Sequence, residues 1–391
     1  MRELQELAGW IIGKGLSTNN IGDILEGVAE RLVTLGYPLL RASITMPTID
    51  PLQRGFSVAW SRSSSISVDI QGHDEAGQEM FRRSPISYLV SNGLRYGRWK
   101  LPSDEDAALY PLLKELADLG ATDYLLKLTA YPEGTALAGV GFSLAGEGPV
   151  GFSERQIADL DIFLPSLALA CYRIAATRIA TDMLAVYTGT GTSGRILSGQ
   201  TQRGEGAAIY AAILLADLKN FTLLNENHQP NHIVAWLNEH FEAIGRPVEL
   251  DGGEILKFMG DSLLAIFPAD MENPAEACRR ALSAAKKAHE ANATLNRSRL
   301  AAAQPEILVD IVLHVGEVFY GNVGAARRLD FTAIGKAVNE AARIEKLCDT
   351  VDRSLLASEA FVSHFQTGFE KVGTFSLKGV TRLANIYALA E

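Results

Sequence analysis

Two aspartates, Asp217 and Asp261, are of the right type and setting for metal-assisted chemistry. Asp217 ends the apolar run Ile213-Leu214-Leu215-Ala216 and precedes Leu218-Lys219-Asn220-Phe221-Thr222. Asp261 lies in the tight-turn segment Lys257-Phe258-Met259-Gly260-Asp261-Ser262. Each is a carboxylate where a buried strand is expected to surface. Hard divalent cations such as Mg2+ take oxygen ligands and keep waters or substrate phosphates in their shell. Two carboxylates converging from two strand ends would make such a site for a nucleotide. Taken singly, each is better read as a solvated strand end or turn residue.

A second set lies further along. Val338-Asn339-Glu340-Ala341-Ala342-Arg343 reads as helix, and Asn339 and Arg343, four apart, share one face of it. On spacing alone they are also readable as a surface pair.

The elements that must position these groups follow from periodicity. From Ala207 onward apolar runs alternate with helical segments: strand 208–216, helix 231–244, strands 254–259 and 262–267, helix 274–291, strand 307–315 and helix 336–347. This pattern predicts an α/β or α+β sandwich with one face covered. The first half opens with helical spacing at Leu4, Leu7, Ile11 and Ile12, then Ile24, Val28 and Leu32. Strands are expected at 40–45, 56–60, 123–130 and 136–144, with a turn at Pro132-Glu133-Gly134. A helix should start after Ser153, where Ser-x-x-Gln forms a capping-box signature. This order predicts an α+β module over residues 1–175.

Along the closing helix, Ile157, Leu160, Leu164, Leu167, Cys171 and Ile174 alternate three and four apart. Two readings are open: a helix packed on its own domain, or a dimer-forming seam. Thr188-Gly189-Thr190-Gly191-Thr192-Ser193-Gly194 lacks the Gly-Lys-Ser/Thr ending of a phosphate loop and is expected to be a flexible connection.

The 391 residues are enough for two or three domains, and at 47% hydrophobic the chain can bury a sizeable core. A net charge of −10 argues against non-specific nucleic-acid binding and against a polybasic membrane anchor. Cys171, Cys278 and Cys348 form no CxxC pair, which fits a reducing compartment. The N-terminus lacks a signal-peptide pattern, and the apolar stretch 162–180 is broken by Pro165, Arg173 and Arg178. A soluble, cytoplasmic protein is expected.

Six ordered stretches over residues 205–391 resemble the class III nucleotidyl cyclase catalytic domain. They are Asp217-Leu-Lys-Asn-Phe-Thr222, Lys257-Phe-Met-Gly-Asp261, Leu313-His-Val-Gly-Glu-Val-Phe-Tyr-Gly-Asn322, Leu329-Asp-Phe-Thr-Ala-Ile-Gly335, Val338-Asn-Glu-Ala-Ala-Arg343 and Leu377-Lys-Gly379. The resemblance implies a ferredoxin-like catalytic domain over residues 207–391. It implies that Asp217 and Asp261 bind two divalent ions, Mg2+ or Mn2+. The reaction would join the ribose 3′-hydroxyl to the α-phosphate and expel pyrophosphate. By the same resemblance Asn339 orients the ribose and Arg343 stabilises charge on the transferring phosphate. Arginines of this type are worth roughly 10³–10⁵ in rate in other phosphoryl-transfer enzymes.

Base selection falls to Lys257 and Thr332. Adenine presents N1 as an acceptor and N6 as a donor, which a lysine and a threonine hydroxyl complement. The family's guanylyl members carry an acidic residue at the Lys257 position. Lys378 matches the lysine that contacts the terminal phosphates, and Phe221 with its neighbouring backbone amides is a further triphosphate contact. Arg327 and Arg328 are open between a phosphate contact and a solvated loop. The resemblance also implies a head-to-tail homodimer, in which one subunit supplies the carboxylates and the other the base-selecting pair, Asn339 and Arg343.

Residues 1–175 resemble a GAF domain in element order, length and closing helix, which implies a sensor or dimerisation module that takes a small-molecule ligand or none. Residues 176–206 would be a signalling helix and transducer linker. The leading expectation is an adenylyl cyclase making cyclic AMP from ATP. A guanylyl cyclase and a catalytically silent nucleotide-binding module are the alternatives. Asp251-Gly252-Gly253-Glu254 is similar to a diguanylate cyclase signature, but Ile255 and Leu256 follow it in place of the acidic-Phe ending.

Overall fold

A computed structural model of the chain describes residues 1–48, 53–64, 66–134, 137–380 and 382–390, without the side chains of Asp104 and Ala107. The chain divides into two compact units, Met1–Met183 and Leu184–Glu391.

The first unit contains α1 (Arg2–Ser17), α2 (Ile21–Thr34), β1 (Leu39–Pro47), β2 (Gln53–Ser61), β3 (Ser67–Gly72), α3 (Glu75–Arg82) and α4 (Pro85–Ser91). It continues through β4 (Tyr96–Lys100), α5 (Asp104–Leu109), α6 (Pro111–Asp118), β5 (Asp123–Ala130), β6 (Gly139–Gly146) and α7 (Glu154–Thr188). The strands form one six-stranded sheet in the order β3-β2-β1-β6-β5-β4, and its pairings are antiparallel. The α+β expectation holds for this unit. Of the expected strand 136–144, Ala136 lies outside the described residues.

Helices α1, α2 and α7 pack on this sheet through a core that includes Leu7, Ile11, Ile24, Val28, Leu32, Phe142 and Phe163. A second core holds Leu89, Trp99, Leu113, Leu116 and Tyr124, from α4, β4, α6 and β5. The capping box forms: Ser153 N–H donates to Gln156 Oε1 at 3.0 Å, and Gln156 N–H donates to Ser153 Oγ at 3.3 Å. Ile157, Leu160, Leu164, Leu167, Cys171 and Ile174 are all buried in the unit's own core. Along that seam the helix packs on its own domain, which decides between the two readings above. The helix continues past this seam, as expected, to 35 residues, and contains Pro165, Arg173 and Arg178. By length and composition alone it passes as a membrane span, and 50% of its most apolar window is buried.

Asp123 joins three parts of this unit. Its side chain is fully buried and accepts from Arg98 (Nε 3.1 Å, Nη2 2.8 Å), Lys100 Nζ (3.0 Å) and the Phe152 N–H (2.9 Å). Burial alone would raise its pKa, but these donors hold the carboxyl below its usual range.

The second unit contains α8 (Thr190–Leu197), β7 (Gly206–Leu218), α9 (Phe221–Asn227), α10 (Pro230–Leu250), β8 (Glu254–Met259), β9 (Ser262–Ala269), α11 (Ala275–Ala301) and β10 (Val309–Ala325). Then come β11 (Arg328–Ile334), α12 (Lys336–Glu345), α13 (Cys348–Val351), β12 (Leu355–Ser358), α14 (Glu359–Val362), β13 (Phe369–Ser376) and β14 (Leu383–Leu389). The sequence β7-α10-β8-β9-α11-β10 is a βαββαβ unit with sheet order β10-β7-β9-β8, which is the ferredoxin-like arrangement. Strands β12, β14 and β13 extend the sheet beyond β10, and β11 folds back on β10 as a hairpin.

Both faces of this sheet are covered, which corrects the expectation of one. Ala212, Leu214 and Ala216 of β7 pack with the Ala-rich face of α11 and with Ile244 and Val248 of α10. The alternate residues Ala211, Ile213 and Leu215 pack with Ala337, Ala341 and Ile344 of α12. A strand buried on both faces reads as a continuous apolar run, as β7 does. The cysteines are free and buried, one in each of three cores: Cys171 in the first unit, Cys278 on one face of the second unit's sheet and Cys348 on the other.

Candidate active site

The apolar strand β7 delivers Asp217 one residue before its end, half-buried, on the face covered by α12. The left-handed Asn220 (φ 60) then turns the chain into α9. Asp261 occupies the β8–β9 turn, where Gly260 has φ +68, a conformation that costs glycine nothing. The two meet at the end of the β7–β9 pair: Ser262, next to Asp261, donates its hydroxyl to Asp217 Oδ1. Burial raises the pKa of Asp261, and the negative charge of Asp217 raises it further.

Two more carboxylates face this pair. Asp310 sits directly across from Asp217 in the β7–β10 register, 4% exposed, with Oδ1 bonded to nothing. Burial is the main cause that raises its pKa. Glu345, at the end of α12, is pushed up to about 7 by burial and then by Asp217 and Asp310. Lys219 holds Asp349 at 2.9 Å at the margin of the group. Neither Asp310 nor Glu345 was singled out from the sequence. The lone Asp in Val309-Asp310-Ile311-Val312 was the signal that could have found the first.

These oxygens suit a hard cation, and desolvated carboxylates that repel one another are what a divalent ion would offset. Among the described residues no group of three or more His, Cys, Asp or Glu side chains is placed to hold a metal.

Lys257 reaches across to β11, the strand that carries Thr332. Lys257 Nζ lies 3.0 Å from Asp330 Oδ2, and Asp330 precedes Thr332 by two residues on β11, hence on the same strand face. Thr332 is 2% exposed and its Oγ1 has no partner. Sequence reasoning missed Asp330. Asn339 is exposed and Arg343 half-buried on α12. The Arg343 guanidinium lies against Gly379, where an added Cβ would be 3.4 Å from Nη2, so it neighbours the exposed Lys378.

The Phe221 ring packs on a small core of Leu218, Ile233, Trp236 and Ile307, which leaves the backbone at the start of α9 as its free polar part. Arg327 and Arg328 are exposed at the β10–β11 hairpin. Among the described residues, no hydrogen bond or ion pair joins Asp217 or Asp261 to Lys257, Asn339 or Arg343.

The segment expected to be a flexible connection is instead helix α8. Gly191 has no Cβ and so lies against the Glu254 carboxylate, where an added Cβ would stand 2.5 Å from Oε1.

Residues 208–390 match the family model described as the adenylate and guanylate cyclase catalytic domain. The chain is 32% identical over 179 residues to "Adenylate cyclase 1" of Rhizobium meliloti (strain 1021), covering 44% of this chain and 26% of that protein. It is 33% identical over 150 residues to "Adenylate cyclase" of Anabaena cylindrica, covering 38% of this chain and 30% of that protein. The chain thus spans less than a third of the length of these relatives. It is also similar to the solved adenylyl cyclase CyaB from P. aeruginosa, at 23% identity and a TM-score of 0.44, over 48% of this chain and 96% of that one. Residues 208–390 are a class III adenylyl/guanylyl cyclase catalytic domain.

Proposed function

We propose that the protein is an adenylyl cyclase, converting ATP to 3′,5′-cyclic AMP and pyrophosphate at two equivalent sites of a homodimer. The observation that carries this reading is that Lys257, a donor, reaches β11 at Asp330, two residues from the orphaned buried hydroxyl of Thr332, an acceptor. Adenine complements that pair through N1 and its N6 amino group.

Asp217 and Asp261 would hold Mg2+ or Mn2+ ions, which when bound lower the pKa of the 3′-hydroxyl and offset charge on the phosphate oxygens. Asn339 orients the ribose from the exposed face of α12. Arg343, a planar and permanently charged group, bears on the α-phosphate, and its neighbour Lys378 on the terminal phosphates. The backbone amides at Phe221 face the triphosphate. In this reading the site is shared between two subunits, one giving the carboxylates and the other the Lys257, Thr332, Asn339 and Arg343 set.

Residues 1–175 act in this reading as a GAF-like regulator, with or without a small ligand, and residues 176–206 as its linker to the catalytic domain at 207–391. A cytoplasmic setting is supported by three buried free thiols. Guanylyl cyclase is the second reading, favoured by Asp330, whose exposed carboxylate could accept from guanine N1–H.

The test is turnover of ATP and GTP by the full chain with Mg2+ and then Mn2+. Cyclic AMP that disappears in Asp217→Ala supports the reading. Cyclic GMP as the main product replaces it with the second.

A further inference from the structure

A buried polar cluster joins the segment ahead of the catalytic sheet to the strand that carries Lys257. Glu254 Oε1 accepts from Tyr320 OH at 2.6 Å and from Thr192 Oγ1 at 3.1 Å. The two hydroxyls are 3.3 Å apart, and Thr192 and Tyr320 are 1% and 2% exposed. Arg195 of α8 places its guanidinium 5.0 Å from the centre of the Tyr320 ring. Gly189, at φ +84, and Gly191 allow the close approach.

Strand β8 needs such a tie. Among the described residues it is an edge strand, paired with β9 alone. Its register shifts between Ile255 and Lys257, so that Glu254 opposes Ile266 and Lys257 opposes Leu264. Ile266 and Leu264 share a face, and the bulge therefore puts Glu254 and Lys257 on that same face. A cavity of about 260 Å³ lies beside Leu256 of this strand, lined among others by Thr192, Ile196, Asn322, Asp330 and Phe331. Two polar links cross to the β10–β11 arm: Lys257 to Asp330, and Glu254 to Tyr320. Lys257 must give up or share the first when it donates to a base. On that side of the strand the second link then remains, beside the β9 ladder and the packing of Leu256.

We propose that Glu254 is a positioning residue for nucleobase recognition. Held by Tyr320 and Thr192, it keeps β8 in place while Lys257 exchanges Asp330 for the base. Helix α8 thereby bears directly on substrate selectivity, not only on assembly. This inference rests on the reading of Lys257 and Thr332 as the base-selecting pair.

The experiment compares the full chain with Glu254→Gln, Tyr320→Phe, Thr192→Val and Thr192→Ser. Hydrogen bonds to charged groups are strong enough that losing one, even partly transmitted, should raise KM for ATP about threefold to tenfold. kcat should stay within about twofold, and the ratio of kcat/KM for ATP over GTP should narrow. Thr192→Ser keeps the hydroxyl and should behave as wild type, whereas Thr192→Val should not. Variants that melt at lower temperature yet keep wild-type KM and base preference would overturn the proposal, as would a loss confined to kcat.

A wild-type chain that makes no cyclic nucleotide is either a silent binding module or an enzyme awaiting its activator, and neither bears on the positioning role. The positioning role is then read from dissociation constants of fluorescent, non-hydrolysable ATP and GTP analogues on the same variants. Narrowed discrimination in Glu254→Gln supports it, and unchanged discrimination sinks it.

Discussion

Asp310 stands directly across from Asp217 in the antiparallel pair of β7 and β10, buried and with one carboxylate oxygen bonded to nothing. Burial raises its pKa, Lys219 opposes that, and Asp349 and Asp217 add to it. Asp310→Asn keeps the shape and removes a poorly compensated charge. It should stabilise the metal-free protein at neutral pH by about 1 kcal/mol. Thermal unfolding in chelator is the check, and a comparable loss of stability would show that the carboxylate has an essential partner.

Glu345 gives a pH dependence of definite sign. Its folded pKa, about 7, lies above the ordinary carboxylate value, because of burial and then Asp217 and Asp310. The proton is therefore bound more tightly in the folded state. The stabilisation it confers is complete below about pH 4.3 and is lost as pH rises toward 7. Glu345→Gln should flatten the fall in stability between pH 5 and pH 8 by about 2 kcal/mol. Denaturant titrations of the metal-free chain at the two pH values measure it. Equal slopes in wild type and variant would refute the assignment.

The shared-site reading predicts complementation. Asp217→Ala and Arg343→Ala chains should each be inactive alone. Mixed, they should recover activity through heterodimers in which one of two sites is intact. Dimerisation of both without recovery would place all the groups in one subunit.

Asp123 predicts the opposite pH behaviour in the first unit. Burial works against its charge, but Arg98, Lys100 and the Phe152 amide outweigh it and depress its pKa. Its contribution is present above about pH 3.9 and lost as pH falls further. Arg98→Ala leaves a fully buried carboxylate short of two bonds and should cost about 3 kcal/mol at pH 7. A loss under about 1 kcal/mol would mean that Lys100 and Phe152 suffice.

What the sequence made legible was local. Asp123–Ala130 was bounded from its own residue pattern, and the Ser153–Gln156 box marked the start of α7. Motifs placed Asp217 and Asp261 at strand end and turn. What stayed hidden depends on partners far along the chain. Thr192 owes its burial partly to Glu254, 62 residues away, so a Gly/Thr/Ser run with no apolar period reads as linker although it is helix. Asp330 acquires meaning only through Lys257, 73 residues away. Strand β10 runs to Ala325, well past residue 315, because its last stretch, Gly321-Asn322-Val323-Gly324, is held by pairing with β11 and lacks an apolar run. The second covered sheet face was legible in the unbroken apolar run of β7, which has no polar side to turn to water.

The one-thiol-per-core arrangement gives the chain three built-in reporters of local opening. A thiolate reacts and a buried thiol does not, and burial holds both Cys171 and Cys278 near a pKa of about 12. Reaction with a disulfide reagent therefore waits on exposure. Cys171 times the loosening of the first unit, while Cys278 and Cys348 time the two sides of the catalytic sheet separately. Mass spectrometry of the three peptides after a labelling pulse would read, without any introduced probe, which layer gives way first when a nucleotide is added or withdrawn.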